Sequence, residues 1–188
     1  MEIITVKNVL MPTQYKSLIK LIDDGGFTWH YKNHIHLVQD EYTTKTSDSH
    51  GLITMFYNED QVRSPHYDAV LPVLFNMVDL LNGNLTKLHR IHAALTINVN
   101  KDHNFYPHTD YFPPKMSDNW YTAVYYLGES DGDTVFFEDD ETTIKHTQKF
   151  EPNSASVFSG SIKHSGSLPR MHPKRIVLNF NFDMERAG

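Results

Sequence analysis

The chain contains no cysteine among its 188 residues. That excludes disulfides, thiolate metal sites and a cysteine nucleophile. It is compatible with a reducing compartment, and a cytoplasmic location is the expectation. Long apolar runs are missing as well. Nothing approaches the roughly 18 consecutive apolar residues that a membrane-spanning helix needs, so no membrane partner is expected. The opening residues, MEIITVKNVLMP, lack the basic and long apolar stretches of a signal peptide. Positive charge is in short supply: 17 Lys and Arg face 23 Asp and Glu, a formal net charge of -6. Phosphate contacts require clustered cations, so a nucleic-acid partner is the less favoured expectation. Basic spots do occur at Lys163 and along Arg170 to Arg175, and the second is suited to framing a small anion. No internal repeat or low-complexity tract is present.

What remains is the composition of a folded domain, 39% hydrophobic and 12% aromatic. The length predicts one domain over 1–188, with helices and substrate-facing strands or loops over 1–87 and a strand-rich core over 88–182. Thr13 to Asp23 reads as a first helix, with Thr13 as its N-cap after Pro12 and with Leu18, Ile19 and Ile22 on one face. Ser64-Pro65 opens a second helix whose stripe is Val70, Leu71, Leu74, Met77, Val78 and Leu81. Pro72 falls inside it and Asn82-Gly83 ends it. The polar stretch 27–62, with a strand at Leu52 to Tyr57, supplies either substrate-facing loops or ordinary edge hairpins. From Leu88 onward short strands alternate with turns, at 88–99, 105–112, 120–127, 134–137, 144–150, 154–158 and 174–182. Many short strands after a helical start predict a mainly β fold with flanking helices: a double-stranded β-helix, or jelly roll of cupin-like form, with the helices on one face.

Chemistry concentrates in His108-Thr109-Asp110, followed by His164 and Arg175. Side chains two apart on a strand share a face, so His108 and Asp110 can grip one metal ion while Thr109 points away. A distant histidine, His164, would complete two imidazoles and a carboxylate. That set leaves three octahedral positions open and suits non-heme Fe(II). Arg175 adds a cation that can hold a carboxylate through two parallel hydrogen bonds. Period-two alternation supports its placement. Arg175, Val177, Asn179 and Asn181 share one face, whereas Ile176, Leu178, Phe180 and Phe182 share the other. Lys174 has the opposite parity. The chain holds 12 histidines, and the others, His89 and His92 included, read as surface or satisfied core residues. His34-x-His36 has a metal-compatible spacing but no carboxylate beside it.

The run from about Arg90 to Phe182 resembles the Fe(II)/2-oxoglutarate-dependent oxygenase superfamily, in particular its prolyl-hydroxylase-like branch of small phage and bacterial proteins. The resemblance lies in YPHTD (Tyr106 to Asp110), TAVYYL (Thr122 to Leu127), DGDTVFF (Asp131 to Phe137), FEPNSASVF (Phe150 to Phe158), His164-Ser165-Gly166 and RIVLNFNF (Arg175 to Phe182). Two departures stand out. Many relatives carry a paired glycine where this chain has Asp131-Gly132-Asp133, and collagen-type prolyl hydroxylases use Lys where this chain has Arg175. The resemblance implies Fe(II) on His108, Asp110 and His164, 2-oxoglutarate and dioxygen as cosubstrates, and succinate and carbon dioxide as products. It leaves room for ascorbate. It implies that Arg175 holds the distal carboxylate of the cosubstrate.

Further cosubstrate candidates are Asn98, Tyr106, Tyr125 and Asn179; Tyr111 and Trp120 are candidates for the substrate mouth. Thr134 reads as a strand start. The favoured substrate is a peptide or protein prolyl side chain, covered by the polar segment Tyr31 to Asn58. A nucleobase or small metabolite under the same chemistry is the alternative. Two other classes also fit the ligands: a cupin-like metal-binding domain without oxygenase activity, and a metal-dependent hydrolase or isomerase.

Overall fold

The computed structural model describes residues 2–33, 50–100, 105–110 and 117–186. His34, His36, His103, Tyr111 and most of the expected substrate cover lie outside those residues. Eleven strands and two helices are present among the described residues: β1 (Ile4–Lys7), α1 (Pro12–Asp23), β2 (His30–Lys32), β3 (Gly51–Asn58), β4 (Gln61–Val62), α2 (Tyr67–Leu80), β5 (Gly83–Ile97), β6 (Trp120–Leu127), β7 (Thr134–Phe137), β8 (Ile144–Gln148), β9 (Ser154–Ser159), β10 (His164–Gly166) and β11 (Lys174–Arg186). The large sheet runs β1-β9-β6-β11-β5-β3-β2, with β4 on β3, and the small sheet runs β10-β7-β8. All pairings are antiparallel. This is the jelly-roll core with two flanking helices.

β11 lies at the centre, paired with β5 on one side and β6 on the other. Its alternation sorts two cores. Ile176, Leu178, Phe180, Phe182 and Met184 join α1 and α2 residues such as Leu18, Ile22, Val73, Leu74 and Met77 in the larger core. Val177, on the other face, meets Ala94, Val124, Tyr126 and Phe158 of the large sheet and Phe136 of the small one. The smaller core is therefore the space between the two sheets, and the side of β11 that carries Arg175 faces it.

Both helices start differently from the sequence expectation. Met11, not Thr13, is the N-cap of α1, and Pro12 takes the first helical position, where its missing N–H is harmless. The Met11 backbone N–H is satisfied by the side chain of Gln14 at 3.2 Å. At α2, Ser64 Oγ accepts the His66 N–H at 3.2 Å, and the helix proper begins only at Tyr67. Asn82 turns the chain with a φ of 50° straight into β5, so this strand begins well before the expected residue 88. The expected strand at 105–112 is reduced to a short pairing. Phe105 N–H reaches Gly166 O (2.9 Å), and His108 and His164 exchange both backbone bonds (3.0 and 2.9 Å). Pro107, which has no N–H to give, sits between them.

The fully buried Phe180 joins β11 to the helix layer. Phe180→Ala should lower unfolding free energy by about 3–5 kcal/mol, the usual loss for a large core aromatic. Urea denaturation checks this, and a loss under about 1 kcal/mol would mean that this face is not packed as described.

Candidate metal and cosubstrate site

The His108–His164 backbone bridge sets the site. It places two imidazoles with ring centroids 4.5 Å apart, one from each side of the pairing. Asp110 follows on the His108 side. His108 Nε2 lies 4.0 Å from one carboxylate oxygen, and His164 Nε2 lies 3.7 Å from the other. The three donor atoms fall within 4.8 Å of one another. Donors sharing one first-row ion at bond lengths of roughly 2.0–2.2 Å lie within roughly 4 Å of each other, so the group fits a single ion with little closing.

Tautomers support the same conclusion. His108 Nδ1 is 3.2 Å from Tyr106 O, and His164 Nδ1 is 3.0 Å from Ile162 O. A carbonyl only accepts, so each Nδ1 carries the proton and each Nε2 keeps its lone pair for a metal. His164 is buried against Phe158, edge-on at 4.7 Å. Burial, with His164 nearby, pushes the His108 imidazole down to about 4, and burial also lowers His164. For Asp110 burial is the largest influence and acts upward, but Arg90, His164, His108 and His92 together outweigh it and hold the carboxyl well below the usual range. At neutral pH the site therefore offers two neutral imidazoles and a carboxylate, the protonation states a metal requires.

Arg175 is buried on the same face, toward the small sheet. Its Nε donates to Gly132 O (2.8 Å) and its Nη2 to Thr134 Oγ1 (3.1 Å). Thr134 Oγ1 also accepts from the Tyr126 hydroxyl at 2.9 Å, and that hydroxyl is 2.9 Å from Ser156 Oγ. Burial lowers the guanidinium from its ordinary value, but that value is so high that it stays charged. Among the described residues no carboxylate is hydrogen-bonded to it. A Cβ on Gly132 would meet Arg175 Cδ at 2.6 Å and Ser167 O at 2.8 Å, and one on Gly166 would meet Nη1 at 3.1 Å. Glycines at both positions thus let the guanidinium lie flat against backbone. Gly166 is two residues from His164, about 7 Å along a strand, a span that a five-carbon diacid can bridge.

The Asp131-Gly132-Asp133-Thr134 segment gains a physical account. Asp131 accepts the N–H groups of Arg170, Met171 and His172, at 2.9–3.2 Å, and so fixes the loop that leads into β11. Asp133 ties Ser167 and Phe150 to the same turn. Gly132 makes room for Arg175, and Thr134 anchors it, a role beyond starting β7.

The remaining candidates divide. Asn179 lies on the site face, with its amide 3.2 Å from His92 Nε2. Tyr125 is corrected: it lies on the helix face of β6, and its hydroxyl donates to Asn153 Oδ1 at 2.9 Å. One residue of parity separates it from Tyr126, the tyrosine that faces the sheet interior. Asn98 is also corrected. Beyond the end of β5, its amide nitrogen donates to Arg170 O (2.7 Å) and His172 O (3.2 Å), and its oxygen accepts the Asn100 N–H (2.7 Å). Tyr106 contributes its backbone carbonyl, and the residue is 43% exposed. Trp120 is buried, stacked on His89 at 4.0 Å, and so does not present an open face. Arg90, His92, Tyr126 and Asn181 belong to the site and were not singled out in the sequence. Continued alternation marks Tyr126 with Thr122 and Val124, and Asn181 with Arg175; Arg90 and His92 carry no such signal.

Buried polar atoms on the site face that find no hydrogen-bond partner among the described residues include His92 Nδ1 and Thr96 Oγ1. Thr96 is directly opposite Arg175. Unpartnered buried groups are unfavourable by about 1–3 kcal/mol each, so a polar guest is the natural partner.

A family profile described as the 2OG-Fe(II) oxygenase superfamily matches residues 92–183, about half of the chain and the half that carries these residues. No curated protein matches the sequence. Among solved structures the chain is similar to a Pseudomonas putida prolyl-4-hydroxylase (16% identity, TM-score 0.55, covering 99% of this chain and 93% of that one). It is similar to a Trichoplax adhaerens prolyl hydroxylase solved with a hypoxia inducible factor peptide fragment (13%, 0.60, 96% and 83%). It is also similar to SnoN, a non-heme alpha-ketoglutarate-dependent epimerase of nogalamycin biosynthesis (14%, 0.65, 98% and 78%). The chain belongs to the 2OG-Fe(II) oxygenase superfamily. Among the described residues no helix is long and apolar enough to cross a membrane.

Parity separates the two tyrosines in function. Tyr126→Phe should weaken cosubstrate binding several-fold by loosening Thr134 and Arg175, whereas Tyr125→Phe should leave it unchanged and lower stability by about 1 kcal/mol. Isothermal titration with 2-oxoglutarate and urea unfolding read the two effects, and equal cosubstrate affinity in both variants would refute the assignment. Protonation gives a second test. His92 is pushed down to about 3 by burial, then by Arg90, and His108 to about 4, against 6.5 in the unfolded chain. The unfolded state then binds more protons between these values, so the metal-free protein should lose stability as pH falls from about 6.5 toward 4. A flat stability profile over that window would contradict the burial described.

Proposed function

We propose that the protein is an Fe(II)- and 2-oxoglutarate-dependent hydroxylase acting on a peptide or protein prolyl side chain. The observation that carries the oxygenase reading is Arg175: a buried cation with no carboxylate hydrogen-bonded to it among the described residues, the nearby Asp133 being paired with Lys149, on the same interior face as the His108–Asp110–His164 cluster. A metal-binding domain, or a metal hydrolase working through bound water, has no use for such a cation.

His108, Asp110 and His164 would hold the iron. Bound iron would supply dioxygen activation coupled to oxidative decarboxylation of 2-oxoglutarate to succinate and carbon dioxide. The chain's own contribution is orientation and charge. Tyr106 O and Ile162 O fix the imidazole tautomers. Arg175 receives the distal carboxylate of the cosubstrate, with Thr134 keeping its guanidinium in plane and Thr96 Oγ1 within the same strand pair to donate a further hydrogen bond. Fixing both ends of the diacid removes its rotational freedom before reaction. The aromatic wall of Phe136 and Phe158 keeps water from the His164 side.

The prolyl substrate is supported by the described sequence resemblance, by the fold similarity to two prolyl hydroxylases and by a net charge of -6, which disfavours a polyanion. Similarity to SnoN favours a second reading, a small-molecule substrate. A cytoplasmic setting and ascorbate as an added reductant complete the proposal.

The test is succinate release with iron, dioxygen and 2-oxoglutarate, in the presence of proline-containing peptides, small metabolites or oligonucleotides in separate assays. A mass gain of one oxygen atom on the peptide is the expected result. Oxidation of another class alone would replace the substrate and keep the chemistry. His164→Ala should abolish turnover. Arg175→Ala should raise the 2-oxoglutarate requirement about 30-fold, the equivalent of ~2 kcal/mol for a charge-assisted hydrogen bond, with Arg175→Lys recovering part of it.

A further inference from the structure

We propose that Arg90 is a positioning residue for the metal site: its guanidinium occupies one oxygen of Asp110, so that the carboxylate offers a metal ion a single oxygen and not both. This rests on the reading of His108, Asp110 and His164 as ligands.

The aim of Arg90 depends on an irregularity of β5. Leu88 pairs with Phe182 and Arg90 with Asn181, so His89 is an extra residue with no partner on β11. Leu88 packs toward the helices. Strict alternation from Leu88 would turn Arg90 toward the helices as well. The bulge at His89 turns it to the site, as bulges beside functional sites commonly do. His89 itself also reaches the site face, stacked on Trp120.

There the fork of Arg90 reaches Asp110 and Asn181 among the described residues. Nη2 donates to Asp110 Oδ1 at 3.0 Å, and Nε donates to Asn181 Oδ1 at 2.8 Å. The Asn181 amide then lies 3.4 Å from Asp110 Oδ2 and 3.0 Å from Thr122 Oγ1. Asn181 and Thr122 are almost wholly buried, and the ion pair is mostly so, with side chains 15% and 10% exposed. Such a frame fixes the plane of the carboxylate as well as its charge.

A guanidinium next to a divalent cation is repelled by it. Its presence is explained by what it prevents. Two imidazoles, one carboxylate oxygen, a chelating 2-oxo acid and dioxygen account for all positions of an octahedral ion. A second oxygen from Asp110 would take the place dioxygen needs. Binding Oδ1 to Arg90 lowers its donor strength toward the ion and holds the rotamer in which one oxygen leads. Lysine at this position would supply charge but not the planar fork that spans Asp110 and Asn181.

Cobalt(II) serves as the probe, titrated into metal-free protein and followed by visible absorption, whose band intensity reports coordination number. The wild type should bind one cobalt(II), and His164→Ala should lose it. Arg90→Ala should bind cobalt(II) at least as tightly as the wild type, because a repelling charge is removed and a second carboxylate oxygen is released. Its spectrum should also shift toward higher coordination, and 2-oxoglutarate should perturb it less than in the wild type. Arg90→Lys should recover part of the wild-type spectrum. A wild-type cobalt(II) spectrum with a wild-type response to 2-oxoglutarate in Arg90→Ala would overturn the proposal. Should Arg90→Ala fail to fold, Arg90→Gln carries the same test, and wild-type behaviour there overturns it equally. If instead the wild type takes up no cobalt(II), or His164→Ala takes it up unchanged, the ligand reading itself falls.

Discussion

The central strand β11 has to satisfy two environments at once, and the remainder of the molecule is arranged around that constraint. One face must be apolar enough to bury under two helices, and Ile176, Leu178, Phe180, Phe182 and Met184 meet the demand. The other must carry Arg175, Asn179 and Asn181 into a closed space between two sheets. A shift of one residue would exchange these faces, placing a guanidinium among the helices and phenylalanines at the metal site. The two flanking strands β5 and β6 lock the register through continuous antiparallel pairing, and the helix layer makes any slip prohibitive.

Charge in the interior imposes the second condition. Arg175 is buried and Arg90 partly so, both on the site face, and the structure treats them differently. Arg90 is matched with Asp110, so that pair approaches neutrality. Arg175 is held by a carbonyl and a hydroxyl, which orient it without neutralising it. Arg175, together with Thr96 Oγ1, suits the anionic guest proposed above, while Arg90 stands beside the candidate ligand Asp110. The aspartates of the turn before β7 take part only indirectly: they anchor the loop entering β11 and so set where Arg175 begins.

Legibility in the sequence followed the regularity of the backbone. β6 and β7 match the expected 120–127 and 134–137, because uninterrupted strands express a clean period of two. The polar face of β11 was readable for the same reason. His108, Asp110 and His164 were readable because the spacing His-x-Asp and the resemblance agree on them. Tyr125 is a candidate by residue type, whereas the period of β6 turns it to the helices and turns Tyr126 to the sheet interior. Asn98 stands past the end of β5, where strand alternation no longer applies and its amide turns to the loop 170–172. Arg90 was invisible for a different reason: a single extra residue, His89, reverses the face, and a bulge leaves no periodic trace.

The sequence by itself determined which residues could be ligands, which strand faces are apolar and that the chain contains no thiol chemistry. Those properties are local: residue type, and a period that any extended segment expresses. Only the tertiary structure decided that His108 and His164 exchange backbone hydrogen bonds, that Gly132 and Gly166 leave space for Arg175, and that Arg90 reaches Asp110. Each of these depends on segments distant in sequence meeting at a particular register. Register is set by the packing of the whole sheet against its helices, which no local pattern encodes.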